Sequence, residues 1–292
     1  MEDIERVQAR LANIRTVEPI LDALRTISIG SWQMALRQQG RLHDYDARLR
    51  AVLPALIPHL STSRQKRLPV VSTAPQRIAA LMIGSERGLC GRFNAVLVEA
   101  ARDYLHARAQ EGCQVELLAL GTRLVRLIRR RGWALAWSGP LSVTPLPSFT
   151  TARELCGRWW AAYEAGRLDA VDLVYNAYRK AGVHAPTVTR LLPPELPDVP
   201  EREVWPPPIV ETDPLRLYRR AIAQQVSVHL YRVLLESAAA EHSTRFQLME
   251  SATQNAQRLI AELSQLVQSA RRQAITREMQ ELAAGAGLLG PR

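Results

Sequence analysis

The chain has 292 residues, of which 47% are hydrophobic, so it can bury a core and is not expected to be disordered overall. Its formal net charge of +10 favours an acidic partner, whether nucleic acid, an anionic membrane surface or an acidic protein cavity. Three cysteines without CxxC or Cys/His metal spacing argue against a disulfide framework or a zinc site, and no stretch approaches the ~20 apolar residues that span a bilayer.

A long amphipathic helix is predicted for the N-terminal segment 1–60, where apolar residues recur at helical spacing. Pro19 lies inside this segment, removes a backbone donor and clashes with the preceding turn. We therefore expect a kink or local break near Val17 and Glu18. The polar stretch that follows predicts a linker over residues 61–75.

Residues 76–192 alternate short apolar runs with amphipathic stretches, which is typical of an α/β domain. The expected strands are 78–83, 115–120, 171–175 and 188–192, and the expected helices are 94–110, 122–131 and 152–165. Because connections of this length suit parallel strands crossed by helices, we expect an open, mostly parallel, Rossmann-like sheet. Seven prolines in sixteen positions then predict a stiff, extended connector over residues 193–211.

A second long helix is predicted over residues 212–292, since neither proline nor glycine occurs between positions 215 and 284. Some seventy residues at about 1.5 Å each would give a helix of ~110 Å. Within it, coiled-coil spacing is shown by Met249, Ala252, Ala256, Leu259, Leu263, Leu266 and Ala270. The two terminal helices each need a partner for an apolar stripe, so we expect a long antiparallel coiled coil with the α/β domain inserted between its two helices.

The glycine-rich segment 84–94 follows a predicted strand and precedes a predicted helix, where a phosphate-binding loop would lie. It lacks both the Gly-Lys-Ser/Thr ending and the GxGxxG spacing, so a tight turn is the favoured interpretation. Cys90 within this segment is more readily a small packing residue than a nucleophile, and the six histidines are dispersed. We therefore expect no catalytic residue, no cofactor, no metal and no small-molecule substrate.

The chain resembles one protein family along nearly its whole length. Three stretches of the sequence carry this resemblance. Residues 85–91, Ser-Glu-Arg-Gly-Leu-Cys-Gly, are similar to the Ser/Thr-Asp-Arg-Gly-Leu-Cys-Gly signature of the gamma subunits of F-type ATP synthases, with Glu86 in place of the usual aspartate. Residues 234–255 resemble that family's Leu-Leu-Glu-Ser…Ala-Thr-Asn run. Residues 270–278 are similar to its Ala-Arg-Gln-x-x-Ile-Thr-x-Glu segment.

The resemblance implies a central stalk whose coiled coil turns inside a ring of alternating alpha and beta subunits, while the α/β domain meets the epsilon subunit and the membrane c-ring. Such a stalk would couple proton flow to ATP synthesis or hydrolysis without an active site, at the cytoplasmic face of a bacterial plasma membrane. By position, Arg245 and Thr276 match family residues that face the beta subunits, and Asn255 lies in the same stretch. The expected subunit-interface residues are Arg87, Gly88, Cys90, Arg245, Asn255, Thr276 and Glu278.

The first helix departs from the family pattern. Two family lysines correspond to Pro19 and Asp22, a methionine corresponds to Leu24, and a glutamine near the C-terminus corresponds to Arg272. These changes alter charge where stalk and ring would interact, which leaves a diverged gamma-like paralogue as one alternative. The net charge of +10 leaves a basic coiled-coil scaffold that binds nucleic acid as the other, although the resemblance predicts no nucleic-acid partner.

Overall fold

The computed structural model describes residues 2–59, 75–141, 146–195 and 209–285. The chain divides into two compact units, one formed by Met1–Ile27 with Phe246–Arg292 and the other by Ser28–Arg245. The predicted linker 61–75 lies outside the described residues except for its last position. Of the predicted connector 193–211, residues 196–208 lie outside them.

Two long helices run through both units. Helix α1 spans Glu2–Leu56 and is followed by a short 3-10 turn, and helix α5 spans Pro214–Gly285. Of the kink or local break expected near Val17 and Glu18, the break does not occur, since α1 is helical without interruption there. The kink stays a prediction. Pro19 is exposed, so water can bond the carbonyl that its missing N–H leaves free.

In the first unit, α1 and α5 pack as an antiparallel pair. An apolar cluster is formed by Leu11, Leu263 and Val267, with Val7, Ile14 and Ile260 packed against it. Three polar contacts flank it: Arg25 to Glu250 at 2.8 Å, Glu18 to Gln257 at 3.2 Å, and Arg15 to Ser264 at 3.3 Å. Along these three contacts the residue numbers rise in α1 while they fall in α5. The two helices therefore run antiparallel, which confirms the predicted antiparallel coiled coil.

The phase of the seam differs from the prediction. Leu266 is 55% exposed, whereas Thr253 and Val267 are buried beside Met249, Ala256 and Leu263. Counted from Met249, the buried positions follow a step of four residues and then one of three. The predicted seam has a step of three and then one of four. Both patterns share every seventh residue and both supply apolar side chains at most of the others, so the sequence alone did not decide between them.

The second unit contains a five-stranded sheet in the order β3-β2-β1-β4-β5. The strands are β1 (Arg77–Ile83), β2 (Gln114–Leu120), β3 (Trp137–Gly139), β4 (Ala170–Lys180) and β5 (Val183–Leu192). The first four are parallel, which confirms the mostly parallel sheet, and β5 pairs antiparallel with β4. The sequence missed the three-residue β3 and placed β4 and β5 too short, since both continue to a tight turn at Gly182, whose φ is 66°.

Both faces of the sheet are covered. Helices α2 (Phe93–Gln110) and α3 (Thr122–Arg130) pack on one face, against β-strand residues such as Ala80 and Met82. Helix α4 (Phe149–Glu164), the first third of α5 and the end of α1 cover the other, against Leu81 and Ile83. The loop after β1 therefore lies at the carboxyl edge of the parallel strands, beside the start of α3.

Candidate functional site

The glycine-rich loop begins where two backbone segments cross. The amide of Gly84 donates to the carbonyl oxygen of Leu120 at 3.0 Å. Gly121 has a φ of 104°, and a Cβ there would lie 2.7 Å from the oxygen of Gly84 and 2.8 Å from that of Ser85. Only glycine fits this crossing, which sets the direction in which the loop leaves the sheet.

A reciprocal pair of hydrogen bonds closes the loop. The amide of Ser85 donates to Asn94 Oδ1 at 3.0 Å, and Asn94 Nδ2 donates to Ser85 Oγ at 2.7 Å. Cys90 is buried, donates its S–H to Ser85 Oγ at 3.5 Å, and packs with Phe93 and Ala240. Burial raises the pKa of the Cys90 thiol, which disfavours the reactive thiolate and favours a packing role.

Glu86 links the loop to α3. Its carboxylate accepts hydrogen bonds from the backbone and hydroxyl of Thr122 and from the amide of Leu141, the latter at 2.9 Å. Burial raises the pKa of Glu86, but these hydrogen bonds outweigh it, and the net pKa lies below its ordinary value. Glu86 therefore caps the first turn of α3, whose own cap residue is a glycine without a side-chain oxygen.

A buried ion pair on α5 holds the tip of the loop. Glu241 and Arg245 are each 5% exposed and form an ion pair one helical turn apart. The Arg245 guanidinium also donates to the carbonyl oxygens of Gly88 at 3.1 Å and Arg87 at 3.5 Å. Four of the predicted interface residues, Arg87, Gly88, Cys90 and Arg245, are therefore brought together, and Arg245 bonds within the chain.

Leu89 is a residue that sequence reasoning missed. Its φ of 62° lies in the left-handed region, the only such value for a non-glycine residue among those that the structure describes, and its side chain is 58% exposed. A branched apolar side chain in this conformation costs roughly 1–2 kcal/mol. The loop therefore holds an apolar side chain in solvent at an energetic cost, between Gly88 and Cys90.

The other three predicted interface residues lie on α5 in the first unit, and all three are exposed. Asn255 accepts a hydrogen bond from Arg258 at 3.2 Å, and the Thr276 hydroxyl donates to the carbonyl oxygen of Arg272 at 2.8 Å. Glu278 follows within the next turn. Unlike Arg245, these side chains are accessible to a partner.

Among the described residues, no cluster of three or more His, Cys, Asp or Glu side chains could hold a metal ion. The helices that the structure describes include none that is both long and apolar enough to cross a membrane.

Solved ATP synthase structures contain chains with a similar fold. The Tetrahymena thermophila mitochondrial ATP synthase central stalk and c-ring structure contains a chain with a TM-score of 0.58 and 22% identity, covering 80% of this chain and 99% of that one. A chain of the Euglena gracilis mitochondrial ATP synthase gives a TM-score of 0.62 at 13% identity, covering 99% and 95%.

Sequence comparison identifies the family. The family model described as ATP synthase matches residues 3–289. The ATP synthase gamma chain of Rubrobacter xylanophilus is 31% identical over 297 residues, and that of Chlorobium luteolum is 29% identical over 293, each alignment covering 99% of both chains. The chain belongs to the ATP synthase gamma-chain family.

Proposed function

We propose that the chain is the central-stalk subunit of a rotary, proton-translocating F-type ATP synthase, and that it couples rotation driven by proton flow to ATP synthesis or hydrolysis by other subunits. The antiparallel pairing of α1 and α5 in the first unit carries the proposal. Two helices joined along a seam resist bending and twisting better than one. Family membership favours this role over a nucleic-acid scaffold.

The partners follow from that role. The paired helices would turn inside a ring of alternating alpha and beta subunits, and the α/β domain would meet the epsilon subunit and the membrane c-ring. The solved relatives are described as central stalk, rotor and c-ring structures, which supports the assignment. The named gamma-chain relatives are bacterial, so the proposed location is the cytoplasmic face of the plasma membrane, as a peripheral component. The proposed domain boundaries are those predicted from the sequence, namely 1–60, 61–75, 76–192, 193–211 and 212–292.

The chain is proposed to have no catalytic site of its own. Support comes from the loop of residues 84–94, where a phosphate would otherwise be expected to bind. Three of its polar side chains, Ser85, Glu86 and Asn94, are already bonded to one another or to α3. We expect the purified chain to show no ATP hydrolysis above a blank, whereas turnover by the chain alone would contradict this part of the proposal.

Four of the seven predicted interface residues are proposed to have one of two roles. Asn255, Thr276 and Glu278 are exposed and would contact the ring directly. Arg245 would act as a positioning residue, because its buried guanidinium holds the loop carbonyls and so fixes where the loop presents Arg87 and Leu89. The strained, exposed Leu89 adds an apolar contact to this surface.

The test is co-purification. A tagged chain expressed in its own host should be recovered from washed membranes with alpha and beta subunits, at one copy per ring, before and after nuclease treatment. Recovery without those subunits would contradict the proposal. Recovery that nuclease abolishes would favour the nucleic-acid scaffold instead.

A further inference from the structure

The outer face of α3 is strongly basic. Helix α3 and its C-cap residue carry five arginines with exposed side chains: Arg123, Arg126, Arg129, Arg130 and Arg131. The sequence contains no acidic residue between Glu116 and Glu154. Any carboxylate that neutralises these arginines must therefore come from another part of the chain.

The helix presents four of these arginines on one side, which we call the basic face: Arg123, Arg126, Arg129 and Arg130. At about 3.6 residues per turn they fall within an arc of about 120° and along about 10 Å of the helix axis. Leu124, Val125 and Ile128 lie on the opposite side of α3 and are buried against the sheet. This packing fixes the basic face toward solvent.

The neighbouring helix does not neutralise the basic face. Among the residues that the structure describes, none of the five arginines forms an ion pair. The acidic residues in and just after α2, which packs beside α3, are paired with arginines of α2: Glu99 with Arg92, Asp103 with Arg102, and Glu111 with Arg108. Helix α2 therefore adds no spare negative charge to the surface that it shares with α3.

Three further carboxylates near α3 leave most of its charge in place. Asp172, beneath α2, is paired with Arg190. Glu116 belongs to the other face of the sheet, because side chains alternate along β2 and Leu117 packs under α2 and α3. Glu86 bonds to the first turn of α3 and cancels one of the five positive charges.

The composition of the basic face favours an array of phosphodiester groups as its partner. Guanidinium groups bind phosphate oxygens in paired geometry. Protein interfaces have cores depleted of charged residues, whereas α3, which the structure describes in full, exposes no large apolar side chain. Proteins that bind single-stranded nucleic acid add aromatic side chains on which bases stack, and the basic face consists of arginine alone.

We propose that the basic face of α3 docks on an anionic lipid bilayer, where its guanidinium groups donate to the phosphodiester oxygens of the headgroups. The choice of a lipid surface rests on the proposed function, which places the chain at a membrane. A fluid bilayer needs no preformed complementary surface, because its headgroups move to match the spacing of the arginines. Since lipids also diffuse freely, the contact does not prevent rotation.

Vesicle flotation of the full-length chain tests the proposal, with vesicles of phosphatidylcholine alone compared with vesicles of equal parts phosphatidylcholine and phosphatidylglycerol. Binding should require phosphatidylglycerol and weaken as the salt concentration rises. The triple variant Arg126→Gln, Arg129→Gln, Arg130→Gln should lower the partition coefficient on the order of 100-fold, because each arginine at such a surface contributes about fivefold. Lysine at the same three positions keeps the charge and should bind within about threefold of wild type.

The matched control is the triple variant Arg216→Gln, Arg219→Gln, Arg220→Gln. It removes three exposed arginines with the same spacing from the start of α5, which packs on the other face of the sheet, and should lower binding by less than about threefold. Equal losses in the two glutamine variants would show that net charge alone matters and would overturn the proposal. Equal losses in the glutamine and lysine variants of α3, or equal binding to vesicles of phosphatidylcholine alone, would also overturn it.

Two further readouts separate the alternatives. If circular dichroism shows the α3 glutamine variant misfolded, Arg130→Gln takes its place, with an expected loss of about fivefold. Binding of an RNA oligonucleotide through the same arginines, without binding to anionic vesicles, would assign the face to nucleic acid instead. A wild-type chain that co-purifies with alpha and beta subunits but binds no anionic vesicles would reject the lipid contact and leave the stalk function standing.

Discussion

The buried pair of Glu241 and Arg245 offers a quantitative test of how the glycine-rich loop is held. Substituting either residue alone, as Glu241→Leu or Arg245→Met, leaves the other charge buried without its counter-ion. Such losses cost about 3–5 kcal/mol in the free energy of unfolding. Burial raises the pKa of Glu241 despite the adjacent Arg245, because little water reaches the carboxylate.

The double variant should recover most of this loss. With both charges gone, the site becomes apolar, and buried ion pairs replaced by apolar residues are often neutral in stability. The carbonyl oxygens that Arg245 leaves can be solvated, because Arg87 is exposed and Gly88 is half-buried. We therefore expect the double variant to lie within ~2 kcal/mol of wild type, a coupling energy of roughly 3 kcal/mol or more.

Urea unfolding followed by tryptophan fluorescence measures this cycle. All six tryptophans fall within residues 28–245, so the signal reports on the unit that contains the pair. If the double variant loses as much stability as the two single variants added together, the residues are not coupled. The interpretation that Glu241 and Arg245 act as a coupled ion pair in holding the loop would then be refuted.

Three further predictions concern the backbone crossing, acid stability and the helix seam. Gly121→Ala should lose more than ~3 kcal/mol, because its φ of 104° and a 2.7 Å clash exclude a side chain, whereas Gly112→Ala, with open space around it, should lose about 1 kcal/mol by the same urea assay. The folded-state pKa of Glu86 is lowered, so its stabilisation is present above the unfolded pKa of about 4.3 and is lost as pH falls through the folded pKa; Glu86→Gln should flatten the acid side of the stability curve measured by circular dichroism, and an unchanged acid side would contradict the capping role. Leu263→Ala should cost ~2–5 kcal/mol while Leu266→Ala stays within about 0.5 kcal/mol in thermal unfolding of the full chain, and the reverse order would restore the seam predicted from the sequence.

The sequence predicted most of the fold because its elements have strong local signals. Helical periodicity and the absence of proline and glycine located α1 and α5, and buried apolar runs located β1 and β2. What it missed depends on tertiary context. Strand β3 has only three residues, too few to show the alternation of apolar and polar residues that predicts a strand. The phase of the seam depends on which face of α5 packs against α1.

The candidate site was predicted in part. The motif located the glycine-rich loop, but nothing in the sequence indicates that Arg245, 157 positions after Gly88, bonds to its carbonyl oxygen. The left-handed conformation of Leu89 is equally hidden, since leucine rarely adopts it. The requirement for glycine at position 121 is also hidden in the sequence, because it depends on the nearby carbonyl oxygens of Gly84 and Ser85.

The most direct measurement of the central claim is rotation. A bead would be attached to the exposed Ala109 through Ala109→Cys, in a Cys113→Ser background because the other two cysteines are buried. The chain would then be assembled with the alpha and beta subunits of its own host on a surface. ATP should drive stepwise rotation of the bead in one direction, and a complex that hydrolyses ATP while the bead stays still would contradict the account of this chain as the rotor.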